Sequence, residues 1–261
     1  MSNTTVAEGR PRGKVAALIV MMSASVSLGQ ATSPAAVSTQ EHQTMSAEQT
    51  LSPKQRAIPP IAAFMAIGNL PKLNTALNQG LDAGLTIGEV KEILVQLYAY
   101  AGFPRSLNAL GELMKVLEER KRRGIQDAPG REPTRPVPIG DALLAAGTAN
   151  QTRVSGAPVK GPIFEFAPEI DRFLKTHLFG DIFERDNLDW KSRELATVGA
   201  LSAMSGLEPQ LLGHMRASMS VGLTPSQLRQ LIEVLAERGD ADAAGRAREA
   251  LDKHLAQIAR Q

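Results

Sequence analysis

The chain has 261 residues, of which 43% are hydrophobic and 21% are charged, and its formal net charge is +2. This is the balance of an ordinary globular protein, and the scarcity of aromatic residues (4%) beside abundant good helix formers favours helices over strands. The absence of cysteine excludes disulfides, thiolate metal sites and a cysteine nucleophile.

The N-terminus has the three-part pattern of a secretory signal peptide. Arg10, Arg12 and Lys14 form a basic start, residues 15–28 carry no charge, and small residues follow. We therefore predict that residues 1–31 are a cleaved signal peptide and that the protein is periplasmic or secreted. The uncharged run of residues 15–28 is shorter than the roughly 20 residues that a helix needs to cross a bilayer, so no membrane span is expected in the mature form. An uncleaved anchor and a disordered tail are the alternatives.

The signal peptide also changes the charge argument. Residues 1–31 hold three basic residues and one acidic residue, so the rest of the chain has 26 of each and no net charge. The pI near 9.0 of the whole sequence is therefore weak ground for nucleic-acid binding, and no nucleic-acid partner is expected.

Irregular, polar stretches mark the boundaries of the remaining chain. Residues 32–50 are rich in Ser, Thr, Ala and Gln, and we predict a flexible N-terminus there. Residues 124–137 and 154–163 are rich in Pro and Gly, so we predict a linker over 124–164.

The segments on either side of this linker repeat one another. Three pairs match in order: LSPKQR at 51–56 with LDWKSR at 188–193, GNLPKL at 68–73 with GLEPQL at 206–211, and DAGLTIGEVKEIL at 82–94 with SVGLTPSQLRQLI at 220–232. The offset is 137 residues for the first pair and 138 for the other two. We therefore predict a first repeat over 51–123 and a second over 165–257.

Both repeats contain the same sequence signals for the end of one helix and the start of the next. Gly84 and Gly222 suit the left-handed residue that ends a helix. Thr86 and Thr224 each precede a Glu or Gln by three residues, which is the pattern of a capping box. Each repeat is therefore predicted to be helix, turn, helix, glycine stop and capped helix, and the fold class to be all-α.

Two further motifs point to a known family. YAGFP at 100–104 and RELATVGAL at 193–201 resemble the carboxymuconolactone decarboxylase family, which includes the alkylhydroperoxidase D-like proteins. The resemblance implies two tandem alkylhydroperoxidase D-like helical repeats packed together. It also implies a small-molecule ligand and, by analogy, a homo-oligomer, with a trimer expected.

The peroxidase-type members of this family use a Glu, a C-x-x-C pair and a His. The second repeat resembles the ends of that pattern at Glu194 and His214, but Leu207 and Gln210 stand at the two cysteine places. A thiol peroxidase using its own cysteines is therefore excluded, because Leu and Gln can neither attack a peroxide nor resolve the product. Peroxide handling with external thiols ranks as a third hypothesis. The corresponding places in the first repeat are Ala57, Asn69, Lys72 and Ala76.

The decarboxylase-type members work without cysteine or cofactor on an acidic lactone. By this resemblance we predict a cofactor-free decarboxylase or lyase acting on a small acidic lactone or oxo-acid, with His214 as proton donor and Glu194 as its partner. A non-catalytic small-molecule-binding or assembly protein on the same scaffold is the alternative hypothesis.

Four further residues are candidates for substrate binding: Arg193, Arg105, Tyr98 and Tyr100. Arg193 has a counterpart in Arg56, where the neighbouring Glu is absent, so a structural salt bridge is as good an interpretation. The two tyrosines are about 200° apart around a helix, so we expect one of them in the core or an interface. Arg105 follows a proline and is expected to be exposed.

The segment THLFGDIFERDNLDW at 176–190 is unusually rich in aromatic and charged residues. His177 and Asp181 have the spacing of neighbours on a helix, but Gly180 lies between them and no third ligand is evident. We therefore predict no metal site and interpret the segment as a lid or a subunit contact.

Overall fold

The computed structural model describes residues 49–238 and 240–260, and all the regular secondary structure in that part of the chain is helical. This confirms the all-α prediction. The predicted signal peptide, residues 1–31, and most of the predicted flexible N-terminus lie outside the described residues. The last two residues of that N-terminus, Gln49 and Thr50, accept hydrogen bonds through their carbonyls from Gln230 and Gln227.

The first repeat contains five helices. They are α1 (Pro53–Ile67), α2 (Leu70–Asp82), α3 (Ile87–Gln96), the short α4 (Tyr98–Ala101) and α5 (Phe103–Arg122). From Trp190 onward, the second repeat contains four helices of matching order: α9 (Trp190–Ala203), α10 (Glu208–Ser220), α11 (Pro225–Glu237) and α12 (Ala241–Ile258).

The predicted helix caps and helix-terminating glycines are present in both repeats. Thr86 and Thr224 each form a complete capping box at the start of α3 and α11. Gly84 and Gly222 precede them with φ of 91° and 96°, in the left-handed region that favours glycine. The capping boxes and the left-handed glycines are determined by residues within one helical turn of each other. The two repeats therefore have the same local structure where both contain the Gly-Leu-Thr sequence.

A single hydrophobic core joins the two repeats, with α1 and α9 at its centre. Residues 58–66 of α1 and residues 192–202 of α9 are all buried. The two helices approach closely where Gly199 faces the backbone of Pro59. Because each repeat covers the apolar helix of the other, the two repeats pack together as one body of the fold.

Part of the predicted linker is helical. Gly140–Ser155 forms α6, and the short α7 (Pro162–Phe166) spans the predicted boundary between the linker and the second repeat. The short α8 (Pro168–Phe173) and a π-helix, Leu174–Ile182, follow within the predicted second repeat. The α6 backbone lies directly on the π-helix, since a Cβ at Gly147 would be only 1.7 Å from the carbonyl oxygen of Lys175. The segment singled out at 176–190 is therefore covered in part by α6.

The irregular part of the linker is attached to the first repeat. The carbonyls of Ala128 and Pro129 accept hydrogen bonds of 2.9 Å from the amides of Ile87 and Gly88, in the first turn of α3. These amides have no partner within their own helix, so the linker satisfies them. Within the described ranges, no helix has the length and apolar character needed to cross a bilayer.

Candidate functional site

Glu194 and His214 meet between the first two helices of the second repeat. Glu194 lies one turn into α9 and His214 lies in the middle of α10. Oε2 of Glu194 is 2.8 Å from Nδ1 of His214. The Glu194 side chain is fully buried, whereas 16% of the His214 side chain is exposed. The pair therefore joins an interior carboxylate to an imidazole that reaches the surface.

This contact orients the imidazole ring. A carboxylate accepts a hydrogen bond, so Nδ1–H donates to Glu194 and Nε2 is the nitrogen left for other chemistry. None of the residues that the structure describes forms a hydrogen bond with Nε2. The second oxygen of Glu194, Oε1, is buried and has no partner among them either. The arrangement is that of an imidazole held in one tautomer by a carboxylate behind it.

Tyr100, from the first repeat, completes the cluster. Its ring meets the ring of His214 edge-on, with centroids 5.6 Å apart. Burial, followed by the negative charge of Glu194, raises the pKa of the Tyr100 phenol well above its usual value. The phenol is therefore neutral at every physiological pH and keeps its proton beside the carboxylate.

Arg193 adjoins Glu194 in sequence but occupies a different environment. It is fully buried, its Nη2 is 2.9 Å from Oε1 of Glu92, and its Nη1 is 2.9 Å from Oε1 of Gln96. Arg185 and Asn187 also donate hydrogen bonds to Glu92. The interior position of Arg193 matches the structural salt-bridge interpretation, with its charge already paired.

Charge and burial have opposite effects on the pKa values of Glu92 and Arg193. Burial favours the neutral acid of Glu92, but the hydrogen bonds from Arg185, the charge of Arg193 and the hydrogen bond from Asn187 outweigh it and lower the pKa of Glu92. Burial lowers the pKa of the Arg193 guanidinium, although the Glu92 charge offsets part of that effect. Glu92 and Gln96 were not singled out from the sequence; their spacing of four residues on α3 is the pattern that could have indicated a polar buried face.

Tyr98 and Arg105 lie apart from the Glu194–His214 pair. The ring of Tyr98 stacks on Phe103 at a centroid distance of 4.2 Å and lies 5.5 Å from the ring of His177. Arg105 is exposed and donates a hydrogen bond to the carbonyl of Ala66. Of the six candidates, the structure thus brings together Glu194, His214 and Tyr100, and places Arg193, Tyr98 and Arg105 elsewhere.

Several cavities open at other places on the surface of the described residues, and two of them are formed by residues of interest. One, of about 600 Å³, lies where Arg153 stacks over Trp190 at the start of α9. The other, of about 260 Å³, lies between α1, α2 and α11. Neither cavity is lined by Glu194 or His214.

Metal ligands are sparse in the part of the chain that the structure describes. There, no group of three or more His, Asp or Glu side chains is arranged to hold a metal ion. His177 and Asp181 do meet, with Nδ1 and Oδ2 2.7 Å apart, but both side chains are nearly half exposed.

Comparison with known proteins matches both repeats. The sequence model of the carboxymuconolactone decarboxylase family matches residues 19–114 and again residues 168–253. A 4-carboxymuconolactone decarboxylase of Acinetobacter baylyi is 31% identical over 68 residues, which are 26% of this chain and 50% of that protein. The chain therefore spans about half the length of this curated relative, and the double match of the family model agrees with the tandem repeat.

Proposed function

This chain belongs to the carboxymuconolactone decarboxylase family, and we propose that it is a cofactor-free carboxy-lyase acting on a small acidic lactone or oxo-acid. The observation that carries the proposal is the 2.8 Å contact between Glu194 and His214, which leaves Nε2 of the imidazole without a partner among the described residues. The name of the Acinetobacter relative supports the reaction class.

The proposed reaction needs a proton at one carbon atom. The bond between that carbon and the carboxylate breaks, carbon dioxide leaves, and the electron pair remains on the carbon. In its imidazolium form, in which both ring nitrogens carry a proton, His214 donates Nε2–H to this carbon and becomes the neutral imidazole, while Nδ1–H stays hydrogen-bonded to Glu194. A proton from water then restores the imidazolium. Tyr100, neutral and pressed against the imidazole edge, excludes water from one side of the ring.

A substrate anion also needs a cation. Arg193 is fully buried and paired with Glu92, so it does not present its guanidinium to a substrate. Arg105 is exposed, and the only hydrogen-bond acceptors it contacts among the described residues are uncharged, the Ala66 carbonyl and the sulfur of Met204. Because Arg105 lies apart from the Glu194–His214 pair, it is not the cation for a carboxylate that reacts at His214.

The experiment measures carbon dioxide release from a panel of acidic lactones and oxo-acids. His214→Asn and Glu194→Gln should each reduce turnover by about 100-fold or more, because general acid catalysis contributes that much. His177→Asn is the matched control, since His177 forms the same kind of contact with Asp181 at a more exposed place. Full activity in folded His214→Asn would remove the site assignment.

A non-catalytic ligand-binding protein is the second candidate. Glu194 is fully buried and the two cavities noted above lie away from it, which favours binding over turnover. Absence of turnover on the whole panel, together with saturable binding of one of its members, would support this candidate.

We further propose that the protein is a homo-oligomer, with a trimer expected by family analogy. An apolar stripe on α5 supports this: Phe103, Leu107 and Met114 are 61%, 63% and 72% exposed and recur at helical spacing. Exposed stripes of this kind mark protein interfaces. Export to the periplasm or beyond is also proposed, on the pattern of residues 1–31; N-terminal sequencing of the protein purified from its native host would show the cleavage.

A further inference from the structure

The 260 Å³ cavity lies at the place in the first repeat that corresponds to the Glu194–His214 pair. By the offsets of 137 and 138 residues, Ala57 corresponds to Glu194 and Ala76 to His214. Both alanines line the cavity. Where the second repeat has a carboxylate in contact with an imidazole, the first has two methyl groups and open space.

The inner wall of this cavity is apolar. Pro60, Ala83 and Val234 line it together with the two alanines. Cavities for drug-sized ligands begin at about 300 Å³, so this one suits a somewhat smaller molecule. A small apolar body would displace water from these methyl and ring surfaces, which is favourable.

The outer rim carries an excess of positive charge. Arg56 and Arg238 lie there with one acidic residue, Glu237. Nη2 of Arg56 is 3.4 Å from Oε2 of Glu237, and Arg238 donates a hydrogen bond to the amide oxygen of Gln79. Two guanidinium groups therefore face one carboxylate, and a second carboxylate would balance the rim.

The loss of a buried partner explains why Arg56 is available. Arg56 corresponds to Arg193, which is paired with Glu92 in the interior. The position that corresponds to Glu92 is Gln230, whose side-chain oxygen accepts a hydrogen bond from the amide of Leu51. Without an interior carboxylate, 37% of the Arg56 side chain is exposed at the cavity.

We propose that this cavity is a second, non-catalytic site that binds a small monocarboxylate with an apolar body. The carboxylate lies between Arg56 and Arg238, and the apolar body rests on Ala57, Pro60 and Ala76. This site is independent of the reaction proposed for Glu194 and His214, because it contains neither residue.

The test is isothermal titration calorimetry of the purified full chain with benzoate, and with benzamide as the uncharged analogue. Benzoate should bind with saturation at one site per chain, and benzamide should bind at least tenfold more weakly. Ala57→Leu should abolish binding because the added side chain fills the cavity from a partly buried position. Arg238→Met should weaken binding about tenfold.

Two controls locate the binding site. Arg229→Met removes an exposed arginine from α11, the helix that ends beside Arg238, and should leave the dissociation constant unchanged. His214→Asn should also leave it unchanged, which separates this site from the proposed reaction centre. Circular dichroism and thermal unfolding verify that each variant is folded. Absence of saturable benzoate binding, or unchanged binding in folded Ala57→Leu, would overturn the proposal.

Discussion

Gly199 of α9 lies directly on the backbone of Pro59 of α1. A Cβ at residue 199 would be 2.7 Å from the carbonyl oxygen of Pro59 and 2.9 Å from its Cα. Real Cβ atoms do not come this close to other atoms, so the absence of a side chain sets the spacing of the two central helices. Because these helices belong to different repeats, a larger residue at this position would push the two repeats apart.

Gly199→Ala should lower the free energy of unfolding by about 2 kcal/mol, because overpacking against backbone atoms forces the helices apart. Gly245→Ala in α12 is the control, since a Cβ there meets no atom within 4 Å. That change should raise stability by up to about 1 kcal/mol through helix propensity. Urea denaturation measures both variants, and equal stabilities would contradict the role assigned to residue 199.

Glu92→Gln should lower the free energy of unfolding by about 3 kcal/mol at pH 7, because it leaves the buried Arg193 without its charge partner. Glu132→Gln is the control, since that side chain is 82% exposed and should change stability by at most about 0.5 kcal/mol.

The pH dependence of the Glu92 variant gives a second test. The pKa of Glu92 is lower in the folded protein than its ordinary value of 4.5. The stabilisation by its charge is therefore complete above the ordinary pKa and is lost as the pH falls through the lower, folded one. Denaturation curves of wild type and Glu92→Gln should converge in acid, and a constant difference down to about pH 3 would contradict the assignment.

Tyr100 should keep its proton at pH values where an ordinary tyrosine loses it, because burial and the Glu194 charge raise its pKa. The chain has only two tyrosines. The phenolate absorbance of folded Tyr100→Phe should therefore rise as much as that of wild type between about pH 8 and 11.5. A smaller rise in the variant would show that Tyr100 titrates.

Leu107→Glu should reduce the mass of the particle in solution, because it places a charge in the exposed apolar stripe of α5. Asn108→Glu, on the neighbouring exposed position, should leave the mass unchanged. Light scattering after size-exclusion chromatography measures both. A wild type that runs as a monomer would contradict the oligomer proposal.

The features that depend on neighbouring residues were predictable from the sequence. The capping boxes at Thr86 and Thr224 and the left-handed glycines before them are decided within one turn of chain, and all are present. Helix α6 was not predicted, because its sequence has little amphipathic pattern. It is packed on the π-helix through Gly147, a tertiary contact.

The site was predictable only in part. Glu194 and His214 were singled out by the family resemblance, and the contact between them is present. The burial of Arg193 depends on Glu92, which is 101 residues away in sequence, so local patterns could not name this partner. The rings of Tyr98 and Tyr100 point to different neighbours because residues two apart lie on opposite sides of the single turn α4. Tyr98 lies near His177, and only Tyr100 reaches the imidazole of His214.

Each of the two corresponding sites takes part of its wall from the opposite repeat. Tyr100 of the first repeat lies on His214 of the second, and Arg238 of the second lies at the cavity of the first. A substitution of Tyr100 or Arg238 in one repeat therefore changes the lining of the site in the other repeat. Because each site depends on side chains from both repeats, replacement of one repeat alone would alter both sites.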